Sequence, residues 1–187
     1  MILQKPFLTF VTRRHPHRPK SQELNYQALR ILTDDDWEQV FIDDPVGLGV
    51  YEANCMLLKR KDRVNGQYVY IYDDDNIVTC PTLITDLKEI VAQHDSDVII
   101  VKMVWMGGTI LPRDQFWGKF PQQGEIDSLN FVVRGEVWKK HIGAFAQPRC
   151  GDYHFIREIF NCNYNVYWHD CVVAAVLRVG NGQPDVA

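Results

Sequence analysis

Short apolar runs alternate with amphipathic stretches over the first 105 residues of the chain. β-Branched and aromatic residues predict four strands, at residues 6–11, 37–42, 67–72 and 97–105. Apolar residues near helical spacing predict three intervening helices, at about 22–32 with Ser21 as N-cap, at 50–61 and at 81–91. This alternation predicts an α/β protein with a mostly parallel, doubly wound sheet flanked by helices.

The alternation weakens after Gly107-Gly108, where proline, glycine and aromatic residues mark a long loop region. Later strands are predicted at residues 132–133 and 164–177, with a short helix at 153–160. We therefore expect a single domain with one half to about residue 105, a second half over 106–178 and a frayed tail over 179–187.

Composition adds limits on function. The chain has 187 residues, of which 46% are hydrophobic, enough for a sizeable core. Its formal net charge of -4 argues against nucleic-acid binding, although a local basic patch is still compatible with a small phosphate ligand. The longest apolar runs are far shorter than the roughly 20 residues of a membrane span. Five cysteines, no CxxC pair and no apolar segment of signal-peptide type predict a cytoplasmic location.

Aspartates cluster in three runs, at residues 34–36, 43–44 and 73–75. The third run follows an apolar strand at the sheet edge where ligands of such folds bind. Asp73 and Asp75 would face the same way if the strand geometry continued, and a divalent cation such as Mg²⁺ or Mn²⁺ would relieve their repulsion. An acidic turn that caps the next helix is the alternative, and the position at the sheet edge favours the metal site.

The other two runs have different expectations. Asp34 to Asp36 should lie at the opposite edge, as a solvated turn. Asp43 and Asp44 end the second strand, where a carboxylate accepts a hydrogen bond either from a ligand or from the turn before Pro45. A basic loop after the first strand suits an anionic ligand, and its candidate contacts are Thr12, Arg13, Arg14 and Arg18.

Together these pieces resemble the nucleotide-sugar domain of GT-A glycosyltransferases, most of all the family-2-like members with their DxD motif. The resemblance covers about residues 7–178 and rests on the basic loop, the Asp pair, the Gly49-x-x-x-x-Asn54 stretch and the run Tyr70-Ile-Tyr-Asp-Asp-Asp-Asn76. It implies a GT-A fold with a nucleotide-binding first half and an acceptor second half. It also implies a hexosyltransferase-type enzyme that uses Mn²⁺ or Mg²⁺, takes a nucleoside diphosphate sugar, UDP favoured, and transfers the sugar to a glycan or other hydroxyl acceptor.

The resemblance also assigns roles to matching positions. Asp75 matches the metal-binding acid, Asp73 and Asp74 match acids that hold ribose or complete the metal shell, and Asp44 or Asp43 matches the acid that reads the base. Thr12 and the three arginines match the loop that wraps the nucleotide.

The resemblance also implies a general base for an inverting reaction, an acid at the start of a helix beyond the acceptor loop, and Asp152 is the candidate because it directly precedes a predicted helix. An N-cap role is the alternative, and Asp127 is the second-choice base, with a turn acid as its more common role.

The chain departs from the family pattern at three places. Pro45-Val46-Gly47 replaces a Gly-Ser, Ala53 stands where an Arg often precedes the Asn, and Gly151 replaces the Glu of the acidic pair. The missing acidic pair leaves open a catalytically silent nucleotide-sugar or carbohydrate-binding module. A nucleotidyltransferase is a further alternative, although residues 12–19 lack the glycines of a phosphate loop.

Overall fold

The computed structural model describes residues 5–44, 46–47 and 49–177. Within these residues, eight strands form one sheet: β1 (Leu8–Arg14), β2 (Trp37–Asp43), β3 (Tyr68–Ile71), β4 (Asn76–Val78), β5 (Val98–Val104), β6 (Ile110–Leu111), β7 (Phe131–Arg134) and β8 (Val166–Val176). The α-helices are α1 (Pro19–Leu29), α2 (Val50–Lys59), α3 (Leu83–His94), α4 (Gly135–His141) and α5 (Gly151–Asn161). In the described part of the chain, no helix combines the length and the apolar character that a membrane crossing requires.

The strand order is β2-β1-β3-β7-β5-β8-β4, with β6 paired to β5. β1, β2, β3, β5 and β8 run in one direction, and β4, β6 and β7 run against them. This confirms the predicted α/β domain with a mostly parallel sheet. Because β7 lies between β3 and β5, the halves expected on either side of residue 105 share this sheet. The expected tail 179–187 lies outside the described residues.

The sheet is packed on both faces, as the period-two alternation of β3 shows. Tyr68 and Tyr70 join one buried cluster with the apolar residues of α1 and α3, whereas Val69 and Ile71 join a second cluster with α2, α4 and α5. Successive strand side chains point to opposite faces, so a strand covered on both faces is apolar throughout. The molecule is therefore a three-layer arrangement of helices, sheet and helices.

Several boundaries differ from the predictions. β1 continues to Arg14, because Arg13 and Arg14 stay in parallel register with Ile42 and Asp43 of β2. α1 begins at Pro19 with Arg18 as its N-cap residue, so Ser21 is not the cap. Proline suits the first helical turn, where its missing N–H costs nothing.

α1 ends at Leu29, three residues before the predicted end, and its buried face differs from the apolar pattern of the sequence. Leu24 in α1 and Ile31 beyond its end are exposed, while Ser21 and Asn25 are buried. Pro81 lies outside α3, whose N-cap is Thr82. The sequence pattern missed β4, β6 and α4, whose short lengths of three, two and seven residues carry little periodic signal.

Candidate functional site

A cavity of about 610 Å³ lies at the carboxyl ends of β1 and β3. Its wall is formed by the end of β1, the residues after β3, the start of α2, the segment 123–128 and the start of α5. The volume is typical of sites for small molecules. The parallel strands of an α/β sheet place their carboxyl ends at one edge, which is where the sequence predicted a ligand.

Arg13 and Asp73 form the centre of this wall. β1 and β3 pair in parallel with Val11 opposite Ile71, so the residues two positions later meet beyond the last pair. Arg13 donates to both carboxylate oxygens of Asp73, with Nε to Oδ1 at 2.6 Å, and also donates to Oδ1 of Asn54 in α2. Burial alone would lower the pKa of the Arg13 guanidinium, but the charges of Asp73, Asp127 and Asp152 raise it above its usual value.

Arg18 binds the other two acids of the triplet. Its guanidinium lies 3.0 Å from Oδ1 of Asp74 and 3.1 Å from Oδ2 of Asp75, and all three side chains are buried. Asp74 also accepts a hydrogen bond from the backbone N–H of His15 at 2.6 Å. Burial raises the pKa of Asp74, and burial together with the charge of Asp73 raises the pKa of Asp75 to about 7.

The fit of a divalent cation differs among these acids. The described residues contain no group of three or more His, Cys, Asp or Glu side chains arranged to hold a metal. Asp73 does not fit as a ligand while Arg13 holds both of its oxygens. Asp75 fits better, because Arg18 contacts only its Oδ2 and a cation would replace the proton that its buried carboxyl favours.

Two predicted contacts lie away from the cavity. Thr12 is buried on the α1 face of the sheet, where its hydroxyl accepts a hydrogen bond from Gln39 at 2.9 Å. Strand alternation is the reason, since the neighbouring Arg13 points to the face covered by α2. Asp43 is exposed, does not line the cavity and instead accepts a hydrogen bond from Arg14 at 2.6 Å.

Asp44 and Arg14 do line the cavity. Asp44 is buried and accepts hydrogen bonds from the backbone N–H groups of Val46 and Gly47 at 3.2 and 2.8 Å. Of its two expected roles, acceptor in the turn or acceptor from a ligand, Asp44 has the first, and it also lines the cavity.

The run Asp34 to Asp36 lies at the opposite edge, as expected, but it is not merely solvated. Asp34 and Asp36 lie 2.9 and 3.0 Å from Nζ of Lys88, and Asp36 accepts a hydrogen bond from the backbone of Phe7. These contacts fasten the turn to α3 and to the start of the sheet.

Asp152 lies in the first turn of α5 and lines the cavity. Cys150 is the N-cap residue, so the capping role considered for Asp152 is wrong. Its Oδ1 instead accepts a hydrogen bond from the backbone N–H of Tyr153 at 2.8 Å. Burial raises the pKa of Asp152, and the charge of Arg13 opposes that rise.

Asp127, the second-choice base, also lines the cavity. It caps a short 3-10 helix at residues 128–130, and its backbone N–H donates a hydrogen bond to Oδ1 of Asn130 at 2.8 Å. Burial and the charge of Asp152 raise the pKa of Asp127 to about 7. Asp127 therefore has the more common role expected for it, that of a turn acid, and its side chain also lines the cavity.

Sequence reasoning missed Asn25. From the buried face of α1, its amide donates to the backbone oxygens of Asp73 and Asn76 at 2.8 and 2.9 Å, which fixes the turn that carries the triplet. A polar residue in a helix gives no such signal by itself.

The glycine at position 151 has a steric reason. A side chain there would overlap the carbonyl oxygen of Phe145 and come within 2.9 Å of the Asn54 amide. The Glu of the family's acidic pair therefore has no room at this position.

Comparisons with known proteins bear on the fold. No protein-family model matches the chain, and a search of the curated proteins finds no match. Among solved structures, TarS 1-349 from S. aureus in complex with UDP-GlcNAc has a TM-score of 0.71 and 13% identity, over 95% of this chain and 60% of that one. The mannosyltransferase PcManGT from Pyrobaculum calidifontis, in complex with GDP-Man and Mn²⁺, has a TM-score of 0.65 and 16% identity, over 92% of this chain and 57% of that one.

The fold is the GT-A fold. The chain spans about 60% of the length of the TarS 1-349 structures, so it corresponds to part of those chains. At 13–16% identity these similarities establish the GT-A fold alone, because one fold supports many different reactions.

Proposed function

We propose that the chain is a glycosyltransferase that moves a sugar from a nucleoside diphosphate sugar, with a UDP-sugar favoured, to a glycan or other hydroxyl acceptor. The observation that carries the proposal is the cavity, which joins the strand-end acids Asp73 to Asp75 with Asp152 at the start of α5. The structural neighbours support it, because their structures hold UDP-GlcNAc in one case and GDP-Man with Mn²⁺ in the other.

In this proposal the donor lies along the end of β1 and the Asp triplet. Asp75 would hold a Mn²⁺ or Mg²⁺ ion, which would neutralise charge on the departing diphosphate. Arg13 and Arg18 keep the triplet in place through their ion pairs, and Arg14 and Asp44 lie where they can contact the nucleotide. Thr12 and Asp43 support this wall from outside the cavity, so we assign them no donor contact.

Asp152 would take the proton of the acceptor hydroxyl. As the acceptor oxygen bonds to the anomeric carbon, the bond from that carbon to the diphosphate breaks and the diphosphate departs with the electron pair. Attack from the face opposite the leaving group inverts the anomeric centre. A buried carboxyl with a raised pKa is suited to this role, because its proton affinity is closer to that required of a general base near neutral pH.

The first test is the release of nucleoside diphosphate from UDP-, GDP- and dTDP-sugars with Mn²⁺, with and without an acceptor mixture. We expect release of UDP and a loss of donor binding in Asp75→Ala, measured by calorimetry. The proposal is wrong if no donor binds in the presence of metal, or if Asp75→Ala leaves donor hydrolysis unchanged.

Substitution of the base separates the two candidate functions. Asp152→Asn should lower turnover about 100-fold or more while the donor dissociation constant stays the same. The absence of a Glu at Gly151 favours the second candidate, a silent nucleotide-sugar-binding module. Tight donor binding without any release by the unmodified protein would support that module.

We also infer a reducing compartment such as the cytoplasm, because all five cysteines are free thiols.

A further inference from the structure

Four aromatic side chains form a surface patch on the face of the sheet that α5 covers. Trp117 and Phe160 pack edge-to-face against Trp168 of β8, with ring centroids 5.0 and 6.2 Å apart, and Phe120 packs in the same way against Phe160 at 5.8 Å. Phe120 is 48% exposed and the other three are partly exposed, and none of these four lines the cavity. We call them the aromatic patch. A contiguous exposed cluster of this kind is typical of a binding surface.

Charged groups beside Trp117 add hydrogen-bond acceptors to the patch. Nζ of Lys102 lies 4.9 Å from the centroid of the Trp117 ring, and 2.8 and 2.7 Å from the carboxylates of Asp114 and Asp170. The Lys102 side chain is largely buried, whereas those of Asp114 and Asp170 are 93% and 66% exposed. One shared cation thus holds two carboxylates close to an aromatic ring, with most of their surface open to solvent.

This combination suits a neutral carbohydrate. The C–H groups of a sugar ring pack on an aromatic face, and its hydroxyls donate hydrogen bonds to carboxylates. Two carboxylates against one ammonium leave a net negative charge, which disfavours an acidic glycan or a phosphate polymer. An apolar protein surface is also disfavoured, because it would remove both carboxylates from water with one cation between them.

Helix α5 connects the patch to the cavity. Asp152 lines the cavity from the first turn of α5, and Phe160 lies in the last turn. The eight residues between these positions correspond to about 12 Å along the helix axis. The candidate base and the patch therefore lie about one helix length apart.

The segment 113–124 makes the same connection. Arg113 and Gln123 line the cavity, and the patch residues Trp117 and Phe120 lie between them. At the cavity end, the amide of Gln123 donates to Sγ of Cys150, the N-cap residue of α5, at 3.2 Å. At the other end, Phe120 contacts Phe160. Residues 120–123 therefore lie along α5 from the patch to the cavity.

We propose that the aromatic patch binds a distal sugar unit of a neutral oligosaccharide acceptor, whose terminal hydroxyl reaches Asp152. The inference deepens the proposed function and rests on it for the role of Asp152. A single sugar ring does not span the length of α5, so the acceptor class is an oligosaccharide and not a monosaccharide. Contacts so far from the reacting atoms are the same in the ground state and the transition state, so they act on acceptor affinity and not on kcat.

The first experiment needs no enzymatic activity. The protein is applied to an array of gluco-, manno-, galacto- and chito-oligosaccharides, the corresponding monosaccharides and acidic glycans. We expect it to retain a neutral oligosaccharide and no monosaccharide. Phe120→Ala should bind that glycan about tenfold more weakly, because it removes one aromatic contact. Tyr26→Ala, which removes a similarly exposed aromatic side chain from α1, should bind it as before.

Three results of this experiment would overturn the proposal. They are no retention of any neutral oligosaccharide, unchanged affinity in Phe120→Ala, and equal losses in Phe120→Ala and Tyr26→Ala. Light scattering adds a fourth, since a dimer that dissociates in Phe120→Ala would show that a second copy of the chain covers the patch.

The indole N–H signals of the tryptophans locate the bound glycan. In ¹⁵N NMR spectra, the oligosaccharide retained on the array should shift the signals of Trp117 and Trp168, assigned with Trp117→Phe and Trp168→Phe. The signal of Trp138, which is buried, should stay in place. Shifts confined to Trp105, which lines the cavity, would place the glycan there alone and contradict the proposal.

Kinetics separate this inference from the proposed function. With the oligosaccharide as acceptor, Phe120→Ala should raise its KM about tenfold, while kcat and the KM of the donor stay the same. A fall in kcat with unchanged KM would overturn the assigned role of the patch. If the unmodified protein transfers no sugar, the proposed function fails, and the array and the NMR titration still decide whether the patch binds an oligosaccharide.

Discussion

Among single side chains, the arginines at the end of β1 and in the loop after it bind acids of the same cavity. Arg13 takes both oxygens of Asp73, and Arg18 bridges Asp74 and Asp75. Three arginines were expected to bind an anionic ligand, and two of them instead form ion pairs with the Asp triplet. A triplet so close together would otherwise repel, so each set of charges stabilises the other.

Removal of Arg18 should therefore be costly. Arg18→Met leaves two buried carboxyls without their common cation, and we expect the free energy of unfolding to fall by about 3 kcal/mol. Lys88→Met is the matched control, since it breaks two ion pairs that are partly solvated and should cost less than about 1 kcal/mol. Urea denaturation measures both, and equal losses would contradict the assignment of a buried ion-pair centre.

Among the helices and strands, the start of α5 depends on close backbone packing. The missing side chain at Gly151 lets the helix lie against the carbonyl of Phe145 and brings Asp152 to the cavity. The side-chain amide of Asn54 in α2 lies close to the same position, 2.9 Å from where a Cβ of residue 151 would stand. One glycine thereby sets the position of the candidate base.

Gly151→Ala should consequently lower the free energy of unfolding by about 1–3 kcal/mol, because the added carbon needs a backbone shift. It should also reduce kcat more than donor affinity, because Asp152 moves with the helix. Gly143→Ala, where a side chain would meet open space, should be close to neutral. If both variants melt at the same temperature, this packing argument fails.

The buried strands and the cavity acids of this fold were accessible to prediction because their signals are local. Apolar runs located β1, β2, β3 and β5, and the order of acids along the chain located the edge of the sheet at which the cavity lies. The face of α1 was not predictable, because Asn25 is buried only through partners 48 and 51 residues away. The ion pair of Arg13 could not be predicted for the same reason, because Asp73 becomes its neighbour only through the β1–β3 pairing.

Across the chain as a whole, charge is distributed unevenly. Seven acidic residues line the cavity against four arginines, which is a local excess of acid in a chain whose net charge is only -4. Burial raises the pKa of Asp75 and of Asp127 to about 7, so in the folded protein both bind protons more tightly than in the unfolded chain. Stability should therefore be greater at mildly acidic pH than at neutral pH.

The expected loss can be measured without ligand. Between pH 5 and pH 7 the folded state keeps protons that the unfolded state has released, so the free energy of unfolding should fall by at least about 2 kcal/mol and level off above pH 7. Urea denaturation across this range tests it. The double variant Asp75→Asn, Asp127→Asn should show a flatter curve, and an unchanged slope would assign the dependence to other groups.

The place of β7 between β3 and β5 has a consequence for synthesis on the ribosome. Strands from the first 105 residues emerge early, yet apart from the short β6, β5 gains its sheet neighbours only when residues 131–134 and 166–176 follow. Two of the negative charges that act on Arg13, those of Asp127 and Asp152, are likewise translated more than a hundred residues later. Such distant pairings form late, so the cavity wall of a nascent chain stays incomplete until translation has passed β8.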